Sequence, residues 1–350
     1  VRSNGMWSQQ AYLKASNTDS NDFFGFSVDI DGDTIVVGAL QEDSSASGVD
    51  GDQTNNTLGN SGAAYIFVRV GTVWSQEAYL KASNPQDLAR FGASVAISGD
   101  TVVIGANTES SNATGVNGDQ NNTLATSSGA AYVFVRLAGT WTQEAYLKAS
   151  NTKANDRFGA KVDISGDTIV VGAASESSDS TGVNGDDTNS GAGASGAAFV
   201  FVRSGGVWSQ QAYLKASNTE GGDSFGSAVA IDVNTIAIGA VGEGSDARGI
   251  NGNQNNNNAI ASGAVYVFVR SGFVWSQEAY IKASNTDSSD SFGVSVAVSG
   301  DTIGIGANFE DSNATGVNGD AADNSAALSG AAYIFLRTGT TWTQQNYLKA

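Results

Sequence analysis

The chain has 350 residues, 40% of them hydrophobic, with 15 Phe, 10 Tyr and 6 Trp, so it can bury a large core and is not a disordered segment. A formal net charge of −18 repels phosphate backbones and anionic lipid, which excludes nucleic acid and membrane insertion as natural roles. Neither Cys nor His is present, which removes disulfides and the commonest general base, and no apolar run approaches the roughly 20 residues of a membrane span.

The first predicted element is Trp7 to Ala15 (WSQQAYLKA), and it returns at Trp74, Trp141, Trp208, Trp275 and Trp342, every 67 residues without an insertion. A fixed period of that length marks a unit that cannot bury its apolar face alone and stacks on its neighbour. The register divides a single repeat domain, 1–350, into a surplus outer strand at 1–16 and repeats at 17–83, 84–150, 151–217, 218–284 and 285–350. Opening in mid-repeat is expected of a piece of a longer polypeptide.

Within 17–83 the next elements are strands at Phe24 to Ile30, Thr34 to Ala39, Ala63 to Arg69 and Trp74 to Ala82, short, rich in β-branched and aromatic residues, and bounded by Gly, Asn, Asp or Ser. The first three are apolar on both faces, as in strands sandwiched between sheets, and the fourth, with its Gln, Glu and Lys, reads as a partly exposed edge. Four antiparallel strands per unit, repeated about an axis, predict an all-β fold: a β-propeller of about five four-stranded blades with one outer strand left over. Tight turns join strands one and two, whereas more than twenty residues, Leu40 to Ser61, join strands two and three. This long loop and the four-one loop near 17–23 leave the same rim, which is therefore polar and acidic.

The succession FG-x-S-V-A, DTIVVGA, SGAAYVFVR and W-x-Q-x-A-Y-L, repeated across the whole chain, resembles the FG-GAP repeats of integrin α-chains and of many bacterial surface proteins. The resemblance implies a propeller, an extracellular or cell-surface setting, and a role in adhesion or surface assembly. Integrin heads have seven blades rather than five, and their calcium loop between strands one and two has no equivalent here, since only Asp29-x-Asp31-x-Asp33 is similar to it. Copies this alike point to a duplicated bacterial or archaeal surface protein.

The long loops hold a different set of oxygen donors in register. These are Glu42, Asp50, Asp52 and Asn55; Glu109, Asn117, Asp119 and Asn122; Glu176, Asn184, Asp186 and Asn189; and Glu310, Asn318, Asp320 and Asp323. Calcium takes 6–8 hard oxygens from carboxylates, amides and backbone on a loop bent by Gly, so calcium is the cofactor this set would hold. The same Asn-Gly and Asp-Gly pairs also serve as plain turns. The Trp series reads as a cap on the apolar edge between blades, Arg69 and its equivalents as partners of acids of the next blade, and Lys81 and its equivalents as structural or solubilising.

Near-identical blades leave no asymmetric acid–base pair, so no catalytic residue is assigned and a glycoside hydrolase is the least favoured reading. The expected function is a non-catalytic extracellular structural or adhesive protein whose terminal strands join copies head to tail into filaments or arrays. The alternative is a multivalent, calcium-dependent module for a glycan or protein ligand. Six copies of the fourth strand for five blades carry the first reading, because a spare strand seeks an edge on a neighbour.

Overall fold

A computed structural model describes residues 1–3 and 5–350, with the side chain of Ser3 also left aside. Five four-stranded antiparallel sheets follow the repeat, each in plain strand order, as the blades of a propeller. Blade one is Phe24–Asp31, Thr34–Ala39, Ala63–Val70 and Val73–Leu80. Blade two is Phe91–Ser98, Thr101–Ala106, Ala130–Leu137 and Thr140–Leu147. The last blade, Phe292–Ser299, Thr302–Ala307, Ala331–Thr338 and Thr341–Lys349, gains the short strand Gly316–Val317 on its outer edge.

Blades two to five bury an aromatic wedge at the head of the first strand, and in blade one the equivalent Phe24 is partly buried. Phe91 is fully buried, with its ring 5.3 Å from Tyr132 and 6.1 Å from Phe134 in edge-on geometry. A glycine in the second strand lets two blades touch through backbone: a Cβ on Gly38 would fall 2.1 Å from the carbonyl oxygen of Gly92, and one on Gly105 2.0 Å from that of Gly159. Backbone contact this close also lets first strands exchange hydrogen bonds. The Val95 N–H donates to Ser27 Oγ at 3.0 Å, and the Ile97 N–H to Asp29 Oδ2 at 2.8 Å. The same pattern recurs between blades two and three, where Val162 and Gly166 donate to Ser94 and Ser98.

A bulge in the fourth strand reaches toward the following blade. Phe67 pairs with Gln76 and Ile66 with Ala78, so Glu77 is the extra residue, and its Oε2 accepts from Trp141 Nε1 at 2.8 Å and Arg136 Nη1 at 3.0 Å. Arg136 thus pairs with Glu77 of the preceding blade and with Asp100 of its own, while stacking 5.3 Å over Trp141. Trp141, Trp208, Trp275 and Trp342 are buried and Trp74 is half-buried, as expected for a cap on the blade edge.

Two expectations change. Residues 8–15 form no strand; only Met6–Trp7 does, in a small hairpin with Arg2–Ser3. Every other copy of this segment is held by a third strand, as Trp74 is opposite Arg69, and among the described residues no third strand lies beside the first copy. Trp7 and Tyr12 are therefore exposed where Trp141 and Tyr146 are buried. The outer arginines Arg136, Arg203 and Arg337 pair with the preceding blade rather than the next, because the bulge that carries Glu77 reaches forward to Arg136. The fourth strand is partly exposed over its outer half, while Lys81, Lys148, Lys215 and Lys282, just past its inner end, are fully buried.

Candidate functional site

Under the elaborated rim, each repeat closes an interior polar cluster. Glu109, at the start of the two-three loop, meets Lys148, just past the fourth strand, at 3.0 Å; the five equivalent pairs lie between 2.7 and 3.0 Å. Asn84, carried in by the preceding four-one loop, donates to Glu109 Oε1 and accepts from the Tyr132 hydroxyl at 2.6 Å. Ser128 Oγ accepts from Lys148 Nζ at 2.7 Å, and the Ser111 and Gly129 carbonyls take further bonds from it. Burial pulls the ammonium down from its ordinary value and the Glu109 charge pushes back. Full satisfaction of this kind is what makes a buried ion pair tolerable, and it pins the two-three loop to the blade.

Glu42, Glu109, Glu176 and Glu310, read from the sequence as metal ligands, are therefore the anionic halves of these pairs. The other candidates lie further out and organise the loop. Asp50 Oδ1 accepts from the Tyr79 N–H at 2.8 Å, and Asn117, Asn184 and Asn318 do the same for Tyr146, Tyr213 and Tyr347 at 2.9 Å. Asp52, Asp119, Asp186 and Asp320 each cap the N–H two residues ahead at 2.9–3.0 Å. Thr54 and Thr188 hydroxyls hold the Asp52 and Asp186 carboxyls below their usual range. Asn55, Asn122 and Asn189 accept from the N–H of residue 45, 112 or 179 across the loop, and Asp323 from Ser325. Among the described residues, no three acidic side chains gather into one metal-binding group. The loop oxygens are spent largely on turn geometry.

The two ends of the blade row carry the other distinctive surface. Interior blades cover each other's first strands, so Val95 and Ile97 are 5% exposed, whereas Val28 and Ile30, their equivalents in blade one, are 62% and 57% exposed and Phe26 is 58% exposed. At the far end Ser295, Ala297 and Ser299 are exposed, while Ser94 and Ala96, which stand at the first two of these positions in blade two, are buried. No strand of the fifth blade packs on the first as each interior blade packs on its neighbour, among the described residues. In front of blade one lies the N-terminal segment, where Gln10 Oε1 takes the bonds of Arg69 and Trp74 that Glu77 takes from their equivalents at the next junction.

Sequence reasoning placed the loop donors but missed both the buried pair and the uncovered ends. A Glu and a Lys held 39 residues apart in every unit were the available signal for the first.

The FG-GAP repeat family matches residues 7–67, 74–134, 141–201, 208–268 and 275–335. No curated protein sequence matches the chain. Among solved structures, the N-terminal domain of Nup159 is similar at a TM-score of 0.39 and 8% identity over 93% of this chain. The chain spans 65% of that domain's length.

Proposed function

The chain belongs to the FG-GAP repeat family, and from that premise we propose that it is a non-catalytic structural or adhesive module of the cell exterior that joins copies head to tail through its end blades. One observation carries the reading: the end faces are uncovered and repeat the two halves of an interior junction. Ser295, Ala297 and Ser299 reproduce Ser94, Ala96 and Ser98, which receive blade three, and Val28 and Gly32 stand where Val162 and Gly166 donate to them. The faces also depart from the interior pattern in opposite senses, with Phe26 adding bulk where blade two has Ala93 and Gly304 removing it where blade two has Val103. A contact between different surfaces that does not close on itself generates chains.

Trp7 to Ala15 and Trp342 to Ala350 are equivalent, so joining two copies releases one of them. Residues 341–349 hold a full ladder with the third strand of blade five, while residues 8–15 hold none; the N-terminal segment is the one that yields. Electron micrographs of the intact chain at rising concentration test this, with extended chains of discs expected and single particles at every concentration contradicting it.

A calcium-dependent multivalent module is the second reading, favoured by Asp52, Asp119, Asp186 and Asp320 recurring at exposed positions along one rim.

A further inference from the structure

The five outer arginines are not alike. Arg69 pairs with Asp33, and Arg136, Arg203 and Arg337 each pair with an Asp of their own blade and a Glu of the preceding one. Arg270 has no carboxylate partner among the described residues. Both of the positions that neutralise its counterparts are amides in this repeat: Asn234 replaces the turn Asp, and Gln211 replaces the bulge Glu. Arg270 Nε donates to Asn234 Oδ1 at 2.8 Å, Nη1 to Thr168 Oγ1 at 3.1 Å, and Nη2 to the Val233 carbonyl at 3.2 Å. The guanidinium is held in place by neutral acceptors with its charge uncompensated.

This cation borders a groove of about 360 Å³ between blades three and four. The same groove is lined by Phe273, 88% exposed, at a turn position where the other repeats have Thr72, Gly139, Gly206 and Thr340. Asp167 and Arg203 also line it, and they are bound to each other at 2.7 Å, so Asp167 does not serve Arg270. Three departures from the repeat, scattered in sequence at 211, 234 and 273, thus converge on one concavity. Two strip a cation of its counter-ions and the third supplies an aromatic face.

We infer that the groove between blades three and four is a binding site for a carboxylate ligand, whose anionic end pairs with Arg270 and whose apolar part lies against Phe273. A half-buried guanidinium binds carboxylate through charge-assisted hydrogen bonds, and a partly desolvated pair is worth more than the same pair in water. At the other junctions a carboxylate of the chain already holds the arginine, an Asp and a Glu at Arg136, Arg203 and Arg337 and Asp33 at Arg69. The site lies away from the end faces and does not depend on assembly.

Benzoate is the probe, with benzamide as its neutral isostere, titrated into the intact chain and followed by calorimetry and ligand-observed NMR. Saturable benzoate binding that weakens with added salt is expected, with benzamide at least about tenfold weaker. The double substitution Gln211→Glu and Asn234→Asp installs the residues that other blades already carry, so it keeps the fold, and it should abolish binding. Phe273→Thr, the residue of two other repeats, should weaken it. No saturable benzoate binding, equal binding of benzoate and benzamide, or unchanged binding by the double variant would each overturn the assignment.

Discussion

Lys148 Nζ lies 3.0 Å from Glu109 Oε2 with neither side chain reaching water, and the pair ties the end of the fourth strand to the start of the long loop 39 residues away. Because two charges leave water together, the pair is worth little against an apolar substitute, but either charge alone is costly. Lys148→Met, leaving Glu109 unpaired, is expected to destabilise blade two by about 3–5 kcal/mol. The double variant Lys148→Met with Glu109→Gln should recover part of that loss. Hydrogen exchange read blade by blade is the appropriate measurement, since a repeat array opens locally.

Asp156, Asp223 and Asp290 sit beneath the same rim, and burial lifts their carboxyls to about 7, against the bond each accepts from a backbone N–H three residues earlier. A carboxyl raised in the folded state binds its proton there while the unfolded chain, with a value near 3.9, has already released it. Their contribution is therefore present at low pH and is lost as pH rises through about 7. The melting temperature should fall between pH 5 and pH 8, and Asp156→Asn, which keeps the acceptor without the charge, should stabilise the chain by on the order of 1 kcal/mol at pH 8. A melting temperature flat across that range would remove the argument.

Calcium provides a third test. With Glu42 and its equivalents held by lysines and the outer Asp and Asn residues bonded to loop N–H groups, the loops are closed by their own chemistry. Melting in millimolar calcium and in chelator is expected to coincide, because only a ligand that binds the folded state shifts stability. A rise on adding calcium, lost in Asp52→Asn, would favour the multivalent reading instead.

Much of the fold was legible because apolar runs, Gly-bounded turns and the 67-residue period all agree with one another, so each strand of a blade can be placed from residues alone. Lys81 could be read only as structural or solubilising because a charged residue after a Gln- and Glu-bearing strand also signals solvent; the loop folding back from Glu42 buries it and leaves the structural role. Trp7 to Ala15 was misread because its residues are those of a strand, but no third strand lies beside it among the described residues. Val28 and Ile30 look like their interior equivalents Val95 and Ile97 in sequence, and no blade packs in front of them among the described residues. Arg270 differs from its four counterparts only through residues 36 and 59 positions away, which have no visible link to it until the turn and the bulge meet.

Because the molecule carries a net charge of −18 while Ser295, Ala297, Ser299, Phe26, Val28 and Ile30 are uncharged, association of copies works against long-range repulsion without opposing charges at the contact. Assembly should strengthen between low and physiological ionic strength as that repulsion is screened over about 8–10 Å. Light scattering across a salt series reads this directly, and assembly that weakens with salt would point to an ionic contact elsewhere.

The most direct test is a single methyl group at Gly306. A Cβ at the equivalent Gly105 would fall 2.0 Å from the carbonyl of the next blade, but at Gly306 it meets no neighbouring backbone, only the Ser295 hydroxyl, which can turn away. Gly306→Ala should therefore leave the monomer folded with its melting temperature nearly unchanged, yet block a second copy's Gly25 from approaching. Sedimentation velocity over a concentration series is expected to show wild type growing into chains and Gly306→Ala remaining monomeric. Wild type that stays monomeric throughout, or a variant that assembles as readily as wild type, would contradict head-to-tail joining through the end blades.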